Sequence, residues 1–89
     1  MMNTVKYFPE KQKFSLLQDF DEAGYLTYRI ENGAWNIDHT VIHPAYRGKG
    51  LARLLVEAAA AEAAGQNIAL TAGCSYAAAV LAERSGETR

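Results

Sequence analysis

The chain has 89 residues, nine Lys and Arg against ten Asp and Glu, and a net charge of −1. That length bounds it to one domain over residues 1–89 and excludes a TIM barrel or a dinucleotide-binding domain with a separate substrate lobe. Apolar residues at 49% and charged residues at 21% fit a globular domain rather than a disordered chain, and the balanced charge argues against nucleic acid as a partner, which would require a basic excess.

The first half reads as strands. Asn3 to Phe8 is short and β-rich, and Pro9-Glu10-Lys11-Gln12 forms a turn after it. Phe14 to Leu17 alternates with period two. Asp19 to Glu22 is a polar turn. In Tyr25 to Ile30, Leu26, Tyr28 and Ile30 share one face while Thr27 and Arg29 share the other. Asn32-Gly33 is the strongest hairpin signal, because a type I′ turn needs positive φ at both central positions. Trp35 to Ile42 is the return strand.

The period then changes. Leu51, Leu54, Leu55 and Ala58 lie at i, i+3, i+4 and i+7, which makes one helix face apolar. Arg53 and Glu57 sit four apart on the other side, and Gly65 is placed to close the helix. Glu62 returns to the apolar face, so it is expected near the helix end with its carboxylate in reach of water. Asn67 to Thr71 reads as a strand, and a last helix runs from about Ser75 to Arg84. Strand, helix and strand from Trp35 to Thr71 imply a parallel pair with a right-handed crossover. The fold class is α+β. It is a mixed, mostly antiparallel sheet of about five strands, with a parallel pair around a central helix and a short C-terminal helix.

The lone cysteine, Cys74, cannot close a disulfide within the chain, which excludes a disulfide-stapled secreted scaffold. Met1 to Lys6 has no basic region followed by an apolar run. Ala58 to Gly65 carries Glu62 and is too short to span a bilayer. A cytoplasmic, reduced protein without membrane contact is expected, as a monomer or weak dimer and without a metal.

The informative segment is Val41-Ile42-His43-Pro44-Ala45-Tyr46-Arg47-Gly48-Lys49-Gly50-Leu51-Ala52, which leaves a strand and enters a helix. Glycines let backbone approach a ligand closely, and the first helical N–H groups, with the helix dipole, favour an anion. Together they make a phosphate cradle, with Arg47 and Lys49 adding positive charge. Neither a Walker A loop nor the three-glycine dinucleotide fingerprint fits. A tight turn that merely needs glycine is the bland alternative.

Arg47-Gly48-Lys49-Gly50-Leu51-Ala52 resembles the acyl-CoA signature Arg/Gln-x-x-Gly-x-Gly/Ala of the GNAT superfamily of N-acyltransferases. With His39-Thr40 and Cys74-Ser75-Tyr76, the chain looks like a minimal single-domain GNAT of the small N-acetyltransferase domain-containing protein 1 type, over Val5 to Leu81. It departs from that type at Thr71-Ala72-Gly73, where a proline is usual, and at Arg84-Ser85-Gly86-Glu87, where a His-Pro-Glu-Tyr segment is common. The resemblance implies acetyl-CoA as cosubstrate and an amine as acceptor. It implies that the backbone amides of the loop Arg47 to Ala52 bind the CoA diphosphate. It also implies that the strand around Val41 and Ile42 pairs through its backbone with the pantetheine arm.

Acyl transfer needs a bound donor, a deprotonated acceptor, oxyanion support and a proton for the leaving thiolate. Cys74, expected at a helix mouth where the dipole lowers a thiol pKa, reads as a nucleophile or as an inert core cysteine. Alternation places His39 with Ile37 and Val41 unless a bulge intervenes. It reads as a base toward an amine or Cys74, or as a structural histidine. Tyr76 reads as the proton donor to the thiolate, a role the resemblance suggests, or as packing. Ser75 reads as a helix N-cap at least as well as a functional group. His43 reads as a loop residue or minor CoA contact, and Asp38 as a solvated carboxylate or a base. Three functions follow: an acetyl-CoA-dependent N-acetyltransferase acting on a small amine or a protein lysine, an acetyl-CoA-binding module without efficient transfer, or a phosphate-anchored interaction domain with another nucleotide ligand.

Overall fold

The computed structural model describes residues 2–73 and 77–81. Strands β1 (Asn3–Phe8), β2 (Lys13–Gln18), β3 (Asp21–Glu31) and β4 (Ala34–Ile42) form an antiparallel meander, and β5 (Leu70–Ala72) joins β4 in parallel. One sheet results, in the order β1-β2-β3-β4-β5. Helix α1 (Leu51–Gly65) connects β4 to β5, as a parallel pair requires, because the chain must return to the same end of the sheet. Residues 77–81 are helical, and Ala77 and Val80 there are buried. The mixed five-stranded sheet expected from the sequence is the one observed. Residues 75, 76 and 82–84 of the expected last helix lie outside the described residues.

Local chemistry sets the ends of these elements. Asn32 and Gly33 both take positive φ, 53° and 78°, as the hairpin signal requires. The turn between β2 and β3 is tighter than its polar composition suggests. Gln18 pairs with Asp21, so only Asp19 (φ 57°) and the exposed Phe20 turn the chain. Helix α1 stops at Gly65, but the left-handed residue is Asn67, at φ 57°. The Ile68 N–H donates to the Ala63 carbonyl at 2.8 Å and the Asn67 N–H to that of Ala64 at 3.1 Å. These are the two bonds of a Schellman closure, in which asparagine can replace glycine. Asn67 therefore belongs to the helix end, and β5 has three residues rather than the five expected.

One face of the sheet carries the core. Val5, Tyr7, Phe14, Leu16 and Leu26 share that face through the register Val5↔Leu16, Tyr7↔Phe14 and Phe14↔Leu26. Helix α1 covers it with Leu51, Leu55, Val56, Ala59 and Ala63. The apolar stripe is turned from the one predicted, and Leu54 stands exposed. The small side chains of Ala59 and Ala63 let the helix lie close to an aromatic sheet surface. There Tyr28 stacks on Trp35 with ring centroids at 4.2 Å, and Tyr7 stacks on Phe14 at 4.4 Å. Such pairs add about 0.5–1.5 kcal/mol beyond area burial. The Tyr7 and Tyr28 hydroxyls share a hydrogen bond of 2.7 Å. Burial pushes the Tyr28 hydroxyl well above its ordinary pKa, and the Tyr7 bond and the Glu62 carboxylate reinforce the shift. Glu62 lies near the helix end as expected, accepting from Gln66 Nε2 at 2.7 Å.

Candidate functional site

The loop from β4 to α1 is built by proline and two glycines. The His43 N–H donates to the Ala23 carbonyl at 2.8 Å, and Pro44–Tyr46 makes one 3-10 turn. Gly48 then takes φ +82° and Gly50 φ +70°, and a Cβ at either would meet nothing within 4 Å. Both glycines are there because L side chains disfavour that conformation, not because the neighbourhood is crowded. Gly50 is the N-cap of α1 and no side chain caps the helix, so the amides of its first turn remain for a ligand or water. A cavity of about 230 Å³ opens here, lined by Ile42, Tyr46, Arg47, Gly48, Gly50, Leu51 and Ala52.

Six of those seven were candidates from sequence; Tyr46 was not. Its ring forms part of the wall, and Lys49 Nζ lies 6.0 Å from its centroid. An aromatic between Pro44 and a basic glycine loop is the only signal that pointed to it. Arg47 is exposed, and its Nε donates to the Ile42 carbonyl at 3.1 Å, which ties the loop back to the end of β4. Lys49 is exposed and does not line the cavity.

The strand leading to this cavity has a bare edge. β5 pairs with β4 only at Trp35↔Leu70, Asn36↔Thr71 and Ile37↔Ala72, and the Gly73 N–H donates to the Ile37 carbonyl at 2.7 Å. β4 runs on to Ile42. From Asp38 to Ile42, Val41 and Ile42 included, its outer edge has no partner strand among the described residues. The two strands thus fork at Ile37 and Gly73.

The same point carries a bulge. Tyr28 pairs with Ile37 but Thr27 with His39, which leaves Asp38 as the extra residue of β4. Strict alternation would put His39 on one face with Ile37. The bulge corrects this: Ile37 is buried in the core, whereas His39 is exposed on the opposite face of the sheet, shared with Thr27 and Val41. Asp38 is half-buried, and its Oδ1 accepts from Arg29 Nε at 2.7 Å. It is the partner of a cation rather than a free base.

His43 also has a defined position. Its Nε2 lies 3.3 Å from Glu22 Oε1. Ser15 Oγ donates to Glu22 Oε2 at 2.9 Å, and Lys13 Nζ lies 3.4 Å from that oxygen. Burial alone would raise the Glu22 carboxyl. The hydrogen bonds from Ser15 and His43 and the charge of Lys13 together outweigh it and hold the pKa below the ordinary value. This cluster fastens the loop to the first residues of β3. Cys74, Ser75 and Tyr76 lie outside the described residues.

The family model described as GCN5-related N-acetyl-transferase matches residues 13–88, most of the chain, including the forked sheet and the glycine loop. The chain belongs to the GCN5-related N-acetyltransferase family. Among solved structures, this family member resembles a GCN5-like protein from Staphylococcus aureus determined by NMR. The identity is 26% and the TM-score 0.71, covering 96% of this chain and 83% of that one. Ribosomal-protein-alanine N-acetyltransferase from Brucella melitensis biovar Abortus 2308 shares the fold at 22% identity and TM-score 0.61, over 70% of this chain and 49% of that one. An integron cassette protein from the mobile metagenome of Cole Harbour Salt Marsh shares it at 17% identity and TM-score 0.59, over 70% and 45%. The chain therefore spans about half the length of the last two. No curated protein matches it. Among the described residues no helix is long and apolar enough to cross a membrane, and no three His, Cys, Asp or Glu side chains are grouped to hold a metal ion.

Proposed function

We propose that this GCN5-related chain is an acetyl-CoA-dependent N-acetyltransferase that transfers an acetyl group to an amine. The observation that carries the reading is one continuous surface. It runs from a side-chain-uncapped helix start behind two left-handed glycines, along a strand edge without a partner among the described residues, to a fork between two parallel strands. Each part suits one part of acetyl-CoA. The amides of Leu51 and Ala52, with the helix dipole, suit the diphosphate, and Arg47 and Lys49 add charge nearby. The bare edge of β4 offers backbone donors and acceptors to the amide-bearing arm, as in strand addition. The thioester then falls near the fork, beside the bulge.

Acetyl-CoA supplies an activated acyl group, and the chain binds, orients and moves protons. The amine nitrogen bonds to the acyl carbon as the carbon–sulfur bond breaks. The nitrogen's surplus proton goes to His39, which the bulge holds on the exposed face next to the fork. The departing sulfur takes a proton from Tyr76. In a two-step variant, the Cys74 thiolate takes the acetyl group first and yields it to the amine.

The test is intact-mass measurement after incubation with acetyl-CoA, together with release of free CoA on adding primary amines. Amine-dependent CoA release is expected. An added acetyl mass that vanishes in Cys74→Ala supports the two-step variant, and release that persists in Cys74→Ala supports direct attack. Failure to bind acetyl-CoA at all overturns the reading.

A further inference from the structure

The fork holds one anomaly. Asn36 Oδ1 is buried and, among the described residues, has no hydrogen-bond partner, and native structures rarely leave a buried acceptor unpaired. The orientation of the amide is fixed by its neighbour. The Thr71 hydroxyl donates its one proton toward the Trp35 carbonyl at 3.4 Å, so it accepts from Asn36 Nδ2, at 2.9 Å. Oδ1 is thereby turned toward Gly73. A Cβ on Gly73 would come within 2.5 Å of it and within 2.9 Å of the Ile37 carbonyl. Gly73 is itself exposed, at the end of a three-residue strand; with Gly73 shifted aside, the oxygen would be open to an incoming donor.

Position along β4 says what arrives there. On the reading above, the donor runs from Gly50 back along Ile42 to Asp38 and places its thioester at the fork. Asn36 lies one step further, on the sheet face that α1 does not cover, beside the place this reading gives the acyl carbon. We infer that Asn36 receives an N–H of the acceptor amine through Oδ1 and so helps to position it for attack. This rests on the proposed acetyltransferase function. The chemistry of the group matters. An amide oxygen accepts a hydrogen bond but carries no charge to offset an ammonium ion that loses water on binding. It therefore favours the neutral, nucleophilic amine, whereas a carboxylate at the same place would favour the ammonium ion.

The experiment is an NMR titration of the 15N-labelled full chain, first with CoA and then with n-butylamine as the probe. The Asn36 side-chain amide pair should shift saturably with the amine, with affinity rising as pH approaches the pKa of butylamine. The side chains of Asn3, Asn32 and Asn67, the other three asparagines, should not move. Asn36→Ala should weaken butylamine at least tenfold, read at the Gly73 amide, while CoA affinity, read at Gly48 and Gly50, stays within twofold. Asn36→Asp should invert the pH trend, binding best near neutrality, a result that a purely structural role would not produce. An unmoved Asn36 amide, or a butylamine affinity within twofold in Asn36→Ala, overturns the inference. If Gly48 and Gly50 do not respond to CoA, the acetyltransferase reading fails in a separately visible way and the inference falls with it.

Discussion

Gly50→Ala separates what the loop glycine does for the fold from what it does for the ligand. In the free protein a methyl group at Gly50 meets nothing within 4 Å, so the only cost of folding is holding a non-glycine residue at φ +70°. That cost is about 1–2 kcal/mol, and for a domain of this size about 1 kcal/mol shifts Tm by about 4–8 °C. The variant should fold and melt about 4–16 °C lower. Ligand binding should suffer far more. The methyl group projects into the open space at the head of α1, where the diphosphate would be held by backbone approach, and displacing that contact should weaken acetyl-CoA by 100-fold or more. Gly50→Asn is the control for backbone strain, since asparagine tolerates left-handed φ. It should recover much of the Tm yet bind no better than the alanine variant. Thermal melts give the first quantity and isothermal titration calorimetry the second. Acetyl-CoA affinity within threefold of the parent in folded Gly50→Ala would refute the assignment of the loop.

Three further outcomes follow from the packing. Glu22 has a pKa held below its ordinary 4.5, so its stabilising contribution is present above that pH and is lost as pH falls through the lower folded-state value. Glu22→Gln should remove part of the acid limb of a stability–pH curve below about pH 4.5. The change near neutrality should be under about 1 kcal/mol, because the carboxylate is about a third exposed and screened by solvent. Tyr7→Phe and Tyr28→Phe should each cost about 1 kcal/mol in urea denaturation by leaving a half-buried hydroxyl unpaired, and the double variant should cost less than their sum. Because the Tyr28 pKa is raised, its contribution holds below pH 10 and is withdrawn as pH rises beyond it, a loss that Tyr28→Phe should abolish. Leu55→Ala, at a fully buried position on α1, should cost about 2–5 kcal/mol, enough to leave much of a marginally stable small domain unfolded by circular dichroism at 25 °C.

The strands were legible because their signals are local. Asn32-Gly33 specifies its turn through backbone preference alone, and a period of two survives wherever one face is buried. Helix α1 was legible in extent but not in rotation. With alanine at many of its positions, the apolar stripe is wide, and tertiary packing chose Leu51, Leu55, Val56, Ala59 and Ala63 over the Leu54 face. The end of α1 was legible in place but not in mechanism. The helix stops at Gly65, yet the Schellman bonds put the left-handed turn at Asn67, a choice between two permissive residues that depends on where β5 must begin.

The glycine loop was legible because it needs glycine for reasons visible in sequence, whereas the chemistry beside the fork was not. A bulge is a mismatch between two strands, and β4 alone does not contain it. Only pairing with β3 shows that Tyr28 meets Ile37 while Thr27 meets His39. That single extra residue decides whether the imidazole is entombed with Ile37 or stands in solvent. It also shifts the phase of every residue that follows, up to Ile42 at the cavity. The same holds for Asn36, which reads in sequence as an ordinary polar strand residue. It becomes a candidate contact only because Thr71 fixes its amide and Gly73 stops short of covering it with a side chain. Ala at position 73 would drive a methyl group against Oδ1 and the Ile37 carbonyl, so that glycine guards the geometry of the fork as Gly48 and Gly50 guard that of the loop.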